Sequence, residues 1–127
     1  MTKTRSLIAV VDDEEPIRKA LSRLIRSAGM DVETFPSGTE LLKSMSAHRP
    51  HCIVLDLHMP VMNGFEVQIW MAKSGVRVPV IVITGHDSDD TRKRALEGMP
   101  VAYLRKPVDD QALLDAIELA LSHNLGR

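Results

Sequence analysis

The sequence predicts an α/β domain, a mostly parallel five-stranded sheet covered on both faces by five helices. Two observations carry this. Short apolar runs rich in β-branched residues alternate with stretches of helical periodicity, five times over. The chain is 127 residues long, enough for one compact domain with a single core. Strands separated by helices cannot be joined by hairpins, so they pair in parallel and are covered on both faces. Right-handed crossovers limit the topologies further.

The elements follow in order. Leu7 to Val11 reads as a buried strand. Pro16 suits a first helical turn, where its missing N–H costs nothing. Ile17, Leu21, Leu24, Ile25 and Ala28 follow at helical spacing, and Gly29 is a C-terminal stop. Val32 to Phe35 is a shorter, more polar strand of the kind found at a sheet edge. Ser37 and Glu40 form a capping-box pattern that opens a helix through Leu41, Leu42 and Met45, and Pro50 closes the connection that follows. His51 to Leu55 is the third strand. The turn-forming run Met59-Pro60-Val61-Met62-Asn63-Gly64 leads to a helix from Phe65 to Ala72, in which Trp70 reads as packing. Val78 to Ile83 is a nearly unbroken β-branched strand. Gly85 to Asp90 opens a polar helix that ends near Gly98. Val101 to Leu104 is the fifth strand, and Asp109 caps a last helix carrying Leu113, Ile117, Ala120 and Leu121 on one face.

Composition narrows the class. Hydrophobic residues are 44% and charged residues 26%, the balance of a globular domain. A formal net charge of -1 provides no global field to recruit nucleic acid or an acidic membrane. The one cysteine, Cys52, excludes an internal disulfide framework and reads as a small core hydrophobe. Met1 to Ser6 is polar, with no apolar stretch of signal or membrane length behind it, so a cytoplasmic location is expected. No repeat, linker or domain boundary interrupts residues 1–127.

The strand ends carry the chemistry. The first strand ends in Asp12-Asp13, followed by Glu14 and Glu15. The third ends in Asp56, the fourth in Thr84, and Lys106-Pro107 follows the fifth. Open sheets of this class bind ligands beyond the carboxyl ends of their strands. If the strand order is 2-1-3-4-5, Asp12, Asp13 and Asp56 share one pocket, with Thr84 and Lys106 on its far side. Two carboxylates ~4 Å apart repel by roughly 4 kcal/mol at an effective dielectric near 20. Such a cluster calls for a cation or a raised pKa. All-oxygen ligands suit a hard divalent ion, and Mg²⁺ is the usual one beside a phosphate. Lys106 and Thr84 would then hold other oxygens of that phosphate, and a carboxylate could act as nucleophile. Taken singly, each residue has a plainer reading. Acids after a strand suit a helix N-terminus, Asp56 suits a turn, Thr84 a cap, and Lys106 a solvated surface.

Four stretches together resemble the receiver domains of response regulators. They are Val10-Val11-Asp12-Asp13-Glu14, Val54-Leu55-Asp56-Leu57-His58-Met59-Pro60-Val61-Met62-Asn63-Gly64, Ile81-Val82-Ile83-Thr84-Gly85 and Tyr103-Leu104-Arg105-Lys106-Pro107. The likeness runs from Leu7 to Leu121, and Thr84-Gly85-His86 looks like the nitrogen-fixation or nitrate-response branch. It implies a flavodoxin-like doubly wound sheet in the order 2-1-3-4-5. It also implies a two-component phosphorelay. A sensor histidine kinase or a histidine phosphotransfer protein would phosphorylate Asp56 in a Mg²⁺-dependent reaction. Asp13 resembles a direct metal ligand and Asp12 one acting through water, with Asp56 and the backbone carbonyl of His58 completing the set. Thr84 and Lys106 resemble the phosphoryl-sensing pair, and Pro107 would follow a cis peptide bond. Tyr103 stands at the aromatic switch position, though a sheet-edge side chain is the plainer reading. His58 and His86 read either as tuning residues or as solvated loop histidines. The resemblance implies a signalling phosphoacceptor, not an enzyme acting on other substrates, and the near-neutral charge with no membrane-length apolar stretch leads to the expectation that this chain itself binds neither nucleic acid nor a membrane. The likeness implies an output face, also a homodimer face, on the fourth helix, fifth strand and last helix; Arg92, Lys93, Arg94 and Arg105 are candidate rim charges there, though solvated surface is their plainer reading. Gly98-Met99-Pro100-Val101-Ala102 departs from the family's usual Gly-Ala there, which bears on those contacts.

Three other functions fit less well. A haloacid-dehalogenase-type phosphatase needs an acid/base Asp two residues after its nucleophile, where this chain has His58. A flavin mononucleotide carrier needs a Ser/Thr/Gly-rich phosphate loop in place of Asp12-Asp13-Glu14-Glu15. A receiver fold that has lost phosphoryl transfer would lack some of the five site residues, and all five are present.

Overall fold

The computed structural model describes residues 5–125. Most of the polar stretch Met1 to Ser6 lies outside the described residues. Ten elements alternate without exception: β1 (Leu7–Val11), α1 (Glu15–Ser27), β2 (Asp31–Phe35), α2 (Gly38–Met45), β3 (Cys52–Asp56), α3 (Gly64–Ser74), β4 (Val80–Thr84), α4 (Asp89–Leu96), β5 (Ala102–Arg105) and α5 (Asp110–Leu125). The strands are all parallel, in the order β2-β1-β3-β4-β5.

Both faces of the sheet are covered, which is why β3 and β4 read as continuous apolar runs. Successive side chains point to opposite faces. Ala9, Val11, Ile53, Leu55 and Val82 join the core that includes Leu41, Val67 and Ala95 of α2, α3 and α4. Ile8, Val10, Cys52, Val54, Ile81 and Ile83 join the opposite core with Leu21, Ile25, Leu113 and Ile117 of α1 and α5. Asp31 and Glu33 alternate with Val32 in β2, an edge strand with one solvated side.

Caps and breakers set the element ends. Pro16 stands in the first turn of α1, and Gly29 follows that helix at φ 89°. Ser37 accepts the Glu40 N–H at 3.2 Å. Asn63 makes the full reciprocal box with Glu66, accepting the Glu66 N–H at 2.9 Å while Glu66 accepts the Asn63 N–H at 2.8 Å. That box starts α3 one residue before the expected Phe65. β4 begins at Val80, two residues later than its apolar run, because Pro79 has no N–H for the ladder. α4 starts at Asp89, since Ser88 caps it by accepting the Thr91 N–H at 3.1 Å. The Gly98–Pro100 connection is unusual, as its sequence indicates. Met99 sits at φ 54° and is exposed. Gly98 packs so tightly on Gln68 that a Cβ there would lie 2.4 Å from Nε2.

Candidate functional site

Each polar residue at the sheet edge is placed by a main-chain bond that extends the ladder past the strand. The Asp12 N–H donates to Phe35 O at 3.1 Å, Leu57 N–H to Ile83 O at 3.2 Å, and Lys106 N–H to Thr84 O at 2.8 Å. The sheet thus delivers Asp12, Asp56, Thr84 and Lys106 to one edge on a rigid frame. Gly64 closes the loop after β3, its N–H donating to Leu57 O at 3.0 Å. A Cβ on Gly64 would stand 2.4 Å from the Asp56 carbonyl oxygen, so no larger residue fits. In that loop Val61 takes φ 68° and the Met62 N–H reaches Pro60 O at 2.8 Å, a tight γ-turn.

The three carboxylates meet as expected. Asp12, Asp13 and Asp56 each place an oxygen within 4.8 Å of the others. Asp12 is fully buried and Asp56 nearly so, while Asp13 faces solvent. Asp12 Oδ1 accepts the Glu14 N–H at 2.9 Å, but Oδ2 is buried without a hydrogen bond. Lys106 Nζ forms an ion pair with that oxygen at 2.7 Å. The ammonium therefore stands among the acids, 3.3 Å from Glu14 and 3.5 Å from Asp56, and not across the pocket as the sequence reading had it. The reason is electrostatic: a mobile cation on a long stem settles where negative charge is densest.

The titration behaviour follows. Burial, then the Asp12 carboxylate, push the Asp56 pKa up to about 6 against the pull of Lys106 and the His58 backbone. Burial works against the charged form of Lys106, but its ion pair with Asp12 and the Asp56 charge outweigh that, and its pKa is raised. A hard divalent cation fits this donor set: three carboxylates on one edge, and one buried oxygen that lacks a hydrogen bond.

Thr84 is fully buried at the same edge. Its Oγ1 accepts the His86 N–H at 3.0 Å and lies 3.2 Å from His58 Nδ1. The His58 ring stands edge-on to Phe65, centroids 6.0 Å apart, and to His86 at 4.8 Å. Burial, then His86 and Lys106, lower the His58 pKa. The peptide bond between Lys106 and Pro107 is cis.

Tyr103 stands apart from these groups. Its hydroxyl donates to Asp87 at 2.7 Å, and the Arg92 guanidinium lies 5.2 Å from its ring centre. Arg92 and Arg105 each approach Asp87 at 3.7 Å. Arg94 lies over the Phe65 ring at 4.1 Å. Among the candidate rim charges, three thus have partners in the fold. Sequence reasoning missed the roles of Asp87 and Glu14. Both lie in polar runs, and only the fold shows which acid in each run faces a partner. Cys52 is fully buried and its thiol is pushed up to about 12, as a core residue's would be.

The match to known proteins covers nearly all of this frame. A family model for the response regulator receiver domain matches residues 8–118. Nodulation protein W of Bradyrhizobium diazoefficiens is 36% identical over 124 residues, covering 98% of this chain and 55% of that protein. Response regulator protein TmoT of Ectopseudomonas mendocina is 36% identical over 121 residues, covering 95% of this chain and 55% of its own. The chain thus spans about half the length of these curated relatives. The solved structure of the response regulator StyR superposes with a TM-score of 0.86 at 38% identity, covering 98% of this chain and 63% of that one. With a family model and relatives matched over nearly its whole length, this chain belongs to the response regulator receiver domain family.

Proposed function

We propose that the chain is a two-component phosphoacceptor and that Asp56 takes the phosphoryl group. The observation that carries this is a nearly buried carboxylate at the end of β3, grouped with Asp12 and Asp13 and 3.5 Å from the Lys106 ammonium. A carboxylate oxygen of Asp56 attacks phosphorus, the P–N bond of a phosphohistidine breaks, and the imidazole leaves with the electron pair. The donor is a sensor histidine kinase or a histidine phosphotransfer protein. Asp13, Asp56, the His58 carbonyl and, through water, Asp12 would hold Mg²⁺. When bound, the ion neutralises the carboxylates and stabilises charge on the phosphoryl oxygens. Lys106 neutralises a second phosphoryl oxygen, and the Thr84 hydroxyl donates to a third.

The chain therefore works as a signalling switch that catalyses only its own phosphorylation and dephosphorylation. The response is a population shift between existing states. Thr84 moves to the phosphoryl group, the Tyr103 ring leaves Asp87 and turns inward, and the face of α4, β5 and α5 changes. That face meets an output domain, a partner or a second copy. Among the described residues no helix is long and apolar enough to cross a membrane, and the proposed setting is cytoplasmic. Incubation with acetyl phosphate and Mg²⁺ is expected to add one phosphoryl group, seen as a mass increase. Asp56→Asn is expected to abolish it. Retained labelling in that variant overturns the assignment.

A further inference from the structure

The Thr84 hydroxyl has one proton to give and two lone pairs to receive. The His86 N–H occupies one lone pair at 3.0 Å. The side chain is buried, and among the described residues its other partner is His58 Nδ1 at 3.2 Å. A buried hydroxyl keeps its proton on an acceptor. In the Nε2–H tautomer of His58 the Nδ1 atom is an acceptor, and the Thr84 proton points at it. Phe65 and His86 both pack edge-on against the ring.

We propose that His58 is a latch: its side chain is a positioning residue that holds the Thr84 hydroxyl away from the phosphoryl group until phosphorylation outcompetes it. The proposal rests on the phosphoacceptor reading of Asp56 and gives its sensing step a specific opposing contact. The two positions of the proton are unequal. Its bond to the imidazole joins two neutral groups, whereas a bond to a phosphoryl oxygen is charge-assisted and roughly twice as strong. The switch thus runs forward on phosphorylation and returns when the phosphoryl group leaves. His58 is exposed on a loop, so its side chain is replaceable without disturbing the core.

The test is the affinity for beryllofluoride in the presence of Mg²⁺, with this anion in place of the phosphoryl group. His58→Leu lacks an acceptor and is expected to bind about threefold to tenfold more tightly, the equivalent of one ordinary hydrogen bond no longer broken. His58→Asn can place an amide oxygen near the Nδ1 position and is expected to gain less. In a Thr84→Ala background the His58→Leu gain is expected to vanish, because the latch has nothing to hold. A gain that persists there overturns the latch in favour of simple access to the pocket. Nitrogen-15 spectra of the unphosphorylated protein are expected to show a bare His58 Nδ1, and a proton on Nδ1 overturns the latch independently. Failure of the wild-type chain to bind beryllofluoride counts against the phosphoacceptor reading instead, and the nitrogen spectrum still decides the latch.

Discussion

In β3, Cys52, Ile53, Val54 and Leu55 have no exposed surface and Asp56 keeps 2%, yet the same burial stabilises the first four and opposes the fifth. Four apolar side chains leave water and gain dispersion contacts on two packed faces. The carboxylate leaves water beside another carboxylate and keeps its charge with difficulty, as its raised pKa shows. The body of the sheet is thus a stability device. Its carboxyl edge concentrates charge that the body must hold in place, and that charge is what gives the edge its chemistry.

The body of the sheet is the part most sensitive to substitution. Ile81 is wholly buried in β4, and Ile81→Ala is expected to cost about 3–4 kcal/mol by denaturant titration. A loss below about 1 kcal/mol would mean that the sheet body is not the rigid frame described. Gly64→Ala is next. The added Cβ meets main-chain atoms of Asp56 and Leu57 that cannot swing aside, and a loss of about 2–3 kcal/mol is expected for such overpacking.

The edge should respond with the opposite sign. The folded-state pKa of Asp56 is raised to about 6, so the folded chain binds this proton more tightly than the unfolded one. Its contribution favours folding at low pH and is lost as pH rises through the window from about 4 to about 6. Asp56→Asn is therefore expected to stabilise the metal-free protein by about 1–2 kcal/mol at pH 7.5 and by little near pH 4. Equal melting shifts at the two pH values would mean that the Asp56 charge does not oppose folding. The smallest effect lies where neither burial nor buried charge is involved. Asn63→Ala removes one cap of α3 and is expected to cost about 1 kcal/mol, with no dependence on pH between 5 and 8.

Much of this was legible because the relevant physics is local. Continuous apolar runs at Val54 and Ile81 required strands covered on both faces. Right-handed crossovers narrowed the ladder order, and the family resemblance supplied it. Asp12, Asp13, Asp56, Thr84 and Lys106 were legible as a group because each follows or ends a strand, and a parallel sheet brings such ends to one edge.

What stayed hidden depends on where side chains point. The sequence placed Lys106 at the correct edge, but only the folded charges drew its ammonium onto Asp12 and Glu14. It marked Tyr103 as a candidate switch without showing that Asp87 holds the hydroxyl outward. It marked His58 as a neighbour of the pocket without showing its bond to Thr84. Residues Thr84 and His58 are 26 positions apart, and no pattern along the chain encodes that contact. Periodicity and strand-end chemistry determined the frame and the reacting groups. The direction of each long or rotatable side chain was decided in three dimensions, by charges and hydrogen-bond partners contributed from other strands and loops.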